Sequence, residues 1–157
     1  NSSINFLLAG DGYEKERLLK ISKKYGLLNE HLFIIDYIPK DEMPSLLSAA
    51  TITTSFFIDL PEMEHNSANK FFDGLAAGKP IMINYGGWQA ELLQKSGAGF
   101  IIPPNNPTSA AEKLNEVIIN DEILHQMGEA SRNLAKRFDV NSSYKKFEDV
   151  IDRTSFI

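Results

Sequence analysis

The chain has 157 residues, of which 43% are hydrophobic and 24% are charged, and its formal net charge is −5. This length suffices for one domain with a proper core, and the composition is ordinary for a globular protein. The acidic balance argues against a general nucleic-acid binder, because no basic stripe is present to neutralise phosphates along a duplex. The absence of cysteine excludes disulfides, thiolate nucleophiles and cysteine-ligated metals, and it fits a reducing cytoplasm.

Hydropathy and the amino terminus both bear on where the protein is located. No apolar run approaches the roughly 20 residues that a membrane span needs, and no signal peptide is visible. The chain begins Asn1-Ser2-Ser3, without an initiator methionine, and enters an apolar stretch at Ile4. We interpret it as a single domain, residues 1–157, cut from a longer cytoplasmic protein.

Apolar runs and helically spaced segments alternate along the chain. Five strands are predicted, at residues 4–9, 32–38, 51–57, 80–84 and 98–102. Seven helices are predicted, at residues 14–25, 41–50, 67–77, 88–96, 108–119, 121–137 and within 142–157. Strands that are continuously apolar are typical of a parallel sheet covered by helices on both faces. The pattern therefore predicts an α/β fold with a Rossmann-like parallel sheet of about five strands and extra carboxyl-terminal helices.

Ligands of such sheets bind beyond the carboxyl ends of the strands. The predicted turns there contain most of the glycine pairs and the only tryptophan: Gly10-Asp11-Gly12, Tyr37-Ile38-Pro39, the loop 58–66, Tyr85-Gly86-Gly87-Trp88 and Pro103-Pro104. One edge of the predicted sheet thus collects the candidate chemistry.

The most informative segment is Asn66-Ser67-Ala68-Asn69-Lys70, a polar stretch at the predicted start of a helix. A helix amino terminus presents free N–H groups and the positive end of the helix dipole, which suits a phosphate. Asp73 follows one turn later and could accept hydrogen bonds from sugar hydroxyls. Lys70 has two interpretations, a phosphate contact or an ordinary solvated residue. Asp73 also has two, because an acid among apolar residues needs a partner: it binds ribose, or it makes a structural hydrogen bond.

These motifs, taken in order, resemble the carboxyl-terminal, donor-binding half of GT-B glycosyltransferases of the retaining family-4 type (glycosyl transferases group 1). The resemblance extends over almost the whole chain. Its carriers are Leu8-Ala9-Gly10-Asp11-Gly12, Ile35-Asp36-Tyr37-Ile38, Leu46-Leu47-Ser48-Ala49-Ala50, the segment from Lys70 to Pro80, Gly86-Gly87-Trp88-Gln89-Ala90-Glu91, and Gly97-Ala98-Gly99-Phe100-Ile101-Ile102-Pro103. The segment Asn66 to Lys70 is similar to the Asn-Lys form of some bacterial surface-polysaccharide transferases.

The resemblance implies a nucleotide-sugar donor, UDP-activated by preference, and no other cofactor and no metal. It implies that the residues from Asn66 to Lys70 meet the diphosphate, that Asp73 meets the ribose, that Tyr37 and Ile38 flank the base, and that Gly10 and Gly12 allow its close approach. Gly86, Gly87 and Glu91 would border the donor sugar. The acceptor would be bound mainly by an amino-terminal domain absent from this chain, on which the last helix would pack and through which the enzyme would reach the inner face of the membrane. The chain alone is then expected to be inactive.

Several positions depart from the family pattern or carry a second interpretation. The family has two glutamates separated by seven residues, whereas here His65 occupies the first position, Glu64 precedes it and Asp73 occupies the second. Glu64 and His65 are candidates for a catalytic role, but the sequence does not assign that role to either of them. Glu91 contacts the donor sugar or is a first-turn acid that favours the helix dipole. Trp88 packs in the core or forms a wall of the sugar site.

Two other functions remain open at the level of sequence. A nucleotide-sugar 2-epimerase has the same architecture and groups carboxylates with histidine, for which Glu62, Glu64 and His65 are available. A non-catalytic α/β module such as a receiver-like domain would need a phosphoacceptor, for which Asp59 is available, but Gly10-Asp11-Gly12 is a poor acidic pair. The three histidines are scattered without metal-ligand spacing, so no metal site is predicted.

Overall fold

The computed structural model describes residues 4–154. Two predictions concern residues outside this range. One is the interpretation of Asn1-Ser2-Ser3 as a cut end, and the other is the extension of the final helix over residues 155–157. The chain divides by its contacts into two compact units, Asn1–Ser45 and Leu46–Ile157. The organisation of the chain as one domain stays a prediction.

The first unit is a β-α-β arrangement. Strand β1 (Phe6–Ala9) leads through Gly10 to helix α1 (Lys15–Lys24), and strand β2 (Leu32–Ile35) returns parallel to β1 with Phe6 opposite Leu32. Helix α2 (Met43–Ala49) lies across the boundary between the units. Both strands therefore end at the same edge of a two-stranded sheet.

Strand β1 is not buried on both faces, contrary to the prediction from its apolar sequence. Phe6, Leu7 and Leu8 are 43%, 45% and 42% exposed. A strand is buried only where other elements cover its faces, and the nearest helix in sequence, α1, buries only Ser22. Composition showed that this strand is apolar, but burial depends on what is packed against it.

The second unit is a three-stranded parallel sheet in the order β3-β4-β5, with helices between and after the strands. Its strands are β3 (Thr53–Ser55), β4 (Ile81–Ile83) and β5 (Gly99–Ile101). Its helices are α3 (Asn69–Ala76), α4 (Gly87–Ser96), α5 (Pro107–Ile118), α6 (Asp121–Ala135) and α7 (Val140–Thr154), with short 3-10 helices at Pro61–His65 and Lys136–Phe138.

The core of the second unit surrounds the central strand β4, whose three residues are all buried. Phe71 and Leu75 of α3 are fully buried against it, and Leu93 of α4 and Leu134 of α6 complete the packing from other sides. Here the continuous apolar run Ile81-Met82-Ile83 is buried on both faces, as predicted. Burying side chains of this size contributes about 1.5–3 kcal/mol each relative to exposure.

The predicted α/β class with parallel strands is confirmed, and so are all five strands and seven helices, with shifts of a few residues at their ends. The five strands are hydrogen-bonded in two groups, β1 with β2 and β3 with β4 and β5. The 3-10 helix at Pro61–His65 was predicted only as a loop. Helix ends shift because capping depends on a few side chains, whereas the apolar spacing of the whole helix is robust.

Ser131 joins helix α6 to the sheet, and its replacement tests this attachment. The Ser131 hydroxyl, fully buried, lies 2.8 Å from the carbonyl oxygen of Lys79 and 2.9 Å from that of Ala98. We expect Ser131→Ala to lower the free energy of unfolding by about 1–2 kcal/mol, because buried carbonyls lose a donor. Urea denaturation measures this, with the exposed Ser143→Ala as control; equal midpoints for the two variants would contradict the expectation.

Candidate functional site

The amino terminus of helix α3 has no side-chain cap. The helix begins at Asn69, two residues later than predicted, so the cap position is held by Ala68, which has no side-chain acceptor. The N–H of Phe71 donates to the carbonyl of Ala68 at 3.1 Å. Between residues 4 and 154, no group accepts from the N–H of Asn69 or Lys70. Two backbone donors at the positive end of α3 are therefore left for water or a ligand.

Lys70 lies at this same helix end. Its ammonium is 5.9 Å from the ring centroid of Phe57, within cation–π range, and no carboxylate pairs with it in the part of the chain that is described. Phe57 follows strand β3, so the carboxyl edge of the sheet contacts the helix end through this pair. The free amides and the unpaired ammonium together form a positively polarised corner.

Helix α4 starts at the same edge, from Gly86 and Gly87. Gly87 has φ of 78°, and an added Cβ would lie 2.1 Å from the carbonyl oxygen of Glu64. A Cβ on Gly86 would lie 2.9 Å from Glu64 Oε1, so the Glu64 carboxylate rests against the start of α4. An acid at a helix amino terminus is electrostatically favourable. Glu64, a sequence candidate for catalysis, thus lies against the start of α4.

The two helix starts are connected by Trp88. Its indole N–H donates to the carbonyl of Asn66 at 3.0 Å, which fixes the segment leading into α3. The Trp88 ring packs on Phe71 and Phe72, with centroids 6.4 and 6.1 Å apart. This geometry agrees with the packing interpretation of Trp88. It also brings the carbonyl of Asn66 to the first turn of α4.

A buried polar network lies beneath this corner. The Tyr85 hydroxyl donates to Gln89 Oε1 at 2.7 Å, and Ser55 Oγ lies 3.2 Å from the same hydroxyl. Burial raises the pKa of Tyr85, while the hydrogen bond from Ser55 opposes the rise, so the phenol stays protonated at neutral pH. Gln89 is 1% exposed, and its Nε2 has no partner among the residues that are described. The network links the end of β3 to the first turn of α4.

Asp73 lies one turn after Lys70 and is exposed, which disfavours the alternative of a structural hydrogen bond that compensates burial. Because the residue is exposed, water can solvate its carboxylate. Asp73 borders a cavity of about 650 Å³ together with Phe72, Lys136, Phe138 and Asp139. A ribose contact by Asp73 stays a prediction.

The remaining candidates of the second unit are exposed. Glu91 pairs with Lys95 at 3.0 Å and is the fifth residue of α4, so the interpretation as a first-turn acid is wrong, because the helix begins earlier than predicted, at Gly87. His65 ends the 3-10 helix and is exposed. Asp59 accepts a hydrogen bond from Asn105. Within residues 4–154, no three His, Asp or Glu side chains gather to hold a metal ion.

The candidates of the first unit collect at the carboxyl edge of its own sheet. Gly10 has φ of 142° and donates to the carbonyl of Ile35 at 3.1 Å, directly after β1. Gly12 is exposed in the following turn, and Tyr37, 72% exposed, and Ile38 follow β2. Lys15 donates to Asp36 at this edge, which raises the pKa of Lys15 and lowers the pKa of Asp36.

Sequence reasoning missed the residues that support the site from below, Phe57, Asn84, Tyr85 and Gln89. Asn84 is informative in retrospect, because a polar amide directly after a buried strand is unusual and asks for a partner. Its amide bonds both backbone groups of Phe57, at 2.9 and 2.8 Å. No sequence signal identifies Phe57 as that partner, since 27 residues separate the two.

Comparison by sequence identifies longer relatives. The chain is 25% identical over 152 residues to an uncharacterized glycosyltransferase of Methanocaldococcus jannaschii, with 94% of this chain and 41% of the relative covered. It is 24% identical over 112 residues to spore coat protein SA of Bacillus subtilis, with 71% and 29% covered. The chain therefore spans less than half the length of these relatives.

Comparison by structure gives the same architecture. HepE of Anabaena, solved in complex with UDP-glucose, has a TM-score of 0.82 at 19% identity, with 98% of this chain and 42% of that chain covered. Sucrose-phosphate synthase from Thermosynechococcus elongatus has a TM-score of 0.77 at 15% identity, with 94% and 38% covered. At these identities the likeness shows the fold.

No helix between residues 4 and 154 is long and apolar enough to span a membrane. The family model described as glycosyl transferases group 1 matches residues 1–134, which is most of the chain. This match favours membership of the glycosyltransferase family over the epimerase and non-catalytic interpretations. Together with the parallel α/β fold and the paired helix starts, it establishes that the chain belongs to the glycosyl transferases group 1 family.

Proposed function

We propose that this chain binds the nucleotide-sugar donor, with UDP as its nucleotide, for a glycosyltransferase that acts in glycan or polysaccharide synthesis. The observation that carries the proposal is the uncapped amino terminus of α3, where the free N–H groups of Asn69 and Lys70 meet the unpaired Lys70 ammonium. Anions bind at such helix ends because donors and dipole act together. A diphosphate is the anion that a nucleotide-sugar presents.

The same corner supplies the electrostatics of transfer. As the bond between sugar and diphosphate breaks, negative charge grows on the departing diphosphate. Fixed donors and a cation placed where that charge develops stabilise the transition state more than the ground state. The amides of α3 are held by the helix and Lys70 by its contact with Phe57, so little reorganisation is needed when the donor binds.

The choice of UDP draws on relatives. HepE of Anabaena was solved with UDP and with UDP-glucose, and TarM of Staphylococcus aureus was solved with UDP. We extend this nucleotide to the present chain as part of the proposal. The base contacts by Gly10, Gly12, Tyr37 and Ile38, the ribose contact by Asp73 and the sugar contacts by Gly86, Gly87 and Glu91 are proposed on the family resemblance.

The finer chemistry is proposed on the same ground. Transfer would retain the anomeric configuration without a metal or other cofactor, and the acceptor would be bound by a further part of a longer, cytoplasmic protein. The apolar stripe of α7, with Tyr144, Phe147 and Val150 exposed, would pack on that part, which would also carry any contact with the membrane. Proton NMR of the product of the full-length enzyme, made with and without EDTA, tests retention and metal independence.

The direct test of donor binding is a titration of this chain with UDP, GDP and ADP, followed by amide NMR. We expect saturable shifts at Asn69, Lys70 and Gly87 with UDP and weaker ones with the purine nucleotides. Uridine, which lacks the diphosphate, serves as the matched control and should leave Asn69 and Lys70 unshifted. If UDP shifts none of these amides in this chain or in a longer protein that contains it, the proposal fails.

A further inference from the structure

The ladder between strands β3 and β4 ends early and is continued by a side chain. The backbone pairing stops at Ser55 opposite Ile83. Two residues beyond Ser55, the N–H of Phe57 donates to Asn84 Oδ1 at 2.9 Å, and Asn84 Nδ2 donates to the carbonyl of Phe57 at 2.8 Å. A side-chain amide has one acceptor and one donor edge, as a peptide group has. Asn84 therefore takes the place of a backbone partner for Phe57.

This amide clamp fixes the residue on which Lys70 rests. The Phe57 ring makes two contacts. It packs on the Tyr85 ring, with centroids 4.9 Å apart, and the Lys70 ammonium lies 5.9 Å from its centroid. Tyr85 is itself held by its hydroxyl in the buried network with Gln89 and Ser55. A continuous series of contacts thus runs from Asn84 through Phe57 to Lys70.

A fixed Phe57 ring restricts the flexible side chain of Lys70. A lysine side chain that must be ordered on binding loses about 1.5–2 kcal/mol of rotamer freedom. A ring held beneath the ammonium restricts that freedom before the ligand arrives, and restriction in advance improves affinity. Phe57 can do so only if its own backbone is fixed, because it lies in an irregular segment after the end of β3.

We propose that Asn84 is a positioning residue: by clamping the backbone of Phe57 it holds Lys70 at the amino terminus of α3, ready for the diphosphate. The inference rests on the proposed function for its ligand, but not for its geometry. Asn84 is proposed to touch neither phosphate nor sugar and to act only through Phe57. Its removal should therefore matter only while Lys70 is present.

The experiment uses Asn84→Ala with Asn133→Ala as the matched control, since Asn133 is exposed on α6 and bonds only its neighbour Lys136. The first readout needs no ligand: because the Lys70 ammonium lies over the Phe57 ring, we expect the ε-methylene protons of Lys70 to be shifted upfield. We expect Asn84→Ala to lose most of this ring-current shift and Asn133→Ala to keep it. If Asn84→Ala fails to fold, Asn84→Asp replaces it with Asn133→Asp as control, because aspartate keeps the acceptor for Phe57 and loses the donor.

The second readout is the affinity for UDP, measured in a double-mutant cycle with Lys70→Met. We expect Asn84→Ala to weaken UDP about fivefold in the presence of Lys70 and by less than twofold in the Lys70→Met background. A general structural defect would weaken UDP equally in both backgrounds and would overturn the inference. An unchanged ring-current shift would overturn it as well. If neither the wild-type chain nor a longer protein that contains it binds UDP, the proposed function fails, and the ring-current shift alone decides whether Asn84 positions Lys70.

Discussion

Gly87→Ala is expected to lower the free energy of unfolding by about 3–4 kcal/mol and to abolish UDP binding at neutral pH. Two costs combine at this residue. A non-glycine residue in the left-handed region costs about 1–2 kcal/mol, and Gly87 has φ of 78°. Overpacking costs about 1–3 kcal/mol more, because the new Cβ would lie 2.1 Å from the carbonyl oxygen of Glu64. Relief of that clash must move Glu64 or the start of α4.

The matched control is Gly97→Ala, at the other end of the same helix. Gly97 has a similar φ of 73°, but an added Cβ would meet no atom within 4 Å. We expect this variant to lose only the backbone cost, about 1–2 kcal/mol, and to bind UDP as the wild type does. Urea denaturation of both variants separates the cost of the left-handed backbone conformation from the cost of the steric clash with Glu64. Equal losses would mean that the approach of Glu64 to Gly87 does not exist in solution.

Lys70→Met is expected to weaken UDP binding by about 10- to 100-fold while leaving the fold almost unchanged. A hydrogen bond to a charged group contributes about 1.5–3 kcal/mol, which corresponds to that range of affinity. Lys70 is exposed, and its contact with Phe57 is an exposed cation–π pair worth about 0.5–1 kcal/mol at most. Methionine keeps the apolar stem over the ring, so the substitution removes mainly the charge.

The control for Lys70→Met is Lys113→Met, which removes the same charge from the exposed face of α5, where Lys113 pairs with Glu116. Isothermal titration with UDP at low and at moderate salt measures both variants. The wild type and the control should lose affinity with salt, and Lys70→Met should lose less, because one phosphate contact is already gone. An unchanged UDP affinity in Lys70→Met would remove Lys70 from the site and leave only the backbone amides of α3.

The sequence predicted the order of strands and helices well, because each element depends on the spacing of apolar residues within a short segment. The run Ile81-Met82-Ile83 after Gly78-Lys79-Pro80 identifies a buried strand, and β4 is the fully buried centre of its sheet. The same reasoning was wrong for β1, whose residues are equally apolar but partly exposed. An apolar pattern states what a strand can bury, and only neighbouring elements decide what it does bury.

The candidate site shows the same division. Local sequence was enough to place a polar helix start with Lys70 and a glycine pair with Gly87 at the carboxyl edge, because both follow strands of one parallel sheet. It misplaced the start of α3, where Ser67 was expected and Ala68 holds the cap position. That difference matters physically, because an alanine cap leaves the first amides of the helix free.

By itself, then, the sequence determined the α/β order of the chain and the family it resembles, and it supplied the segment that we propose for anion binding, since each depends on residues near one another in the chain. Only the tertiary structure decided how that segment is supported. The clamp of Asn84 on Phe57 and the bond between Tyr85 and Ser55 join residues 27 and 30 positions apart. Side-chain hydrogen bonds of that span arise only after the strands have paired, because the pairing register of β3 and β4 sets which groups meet.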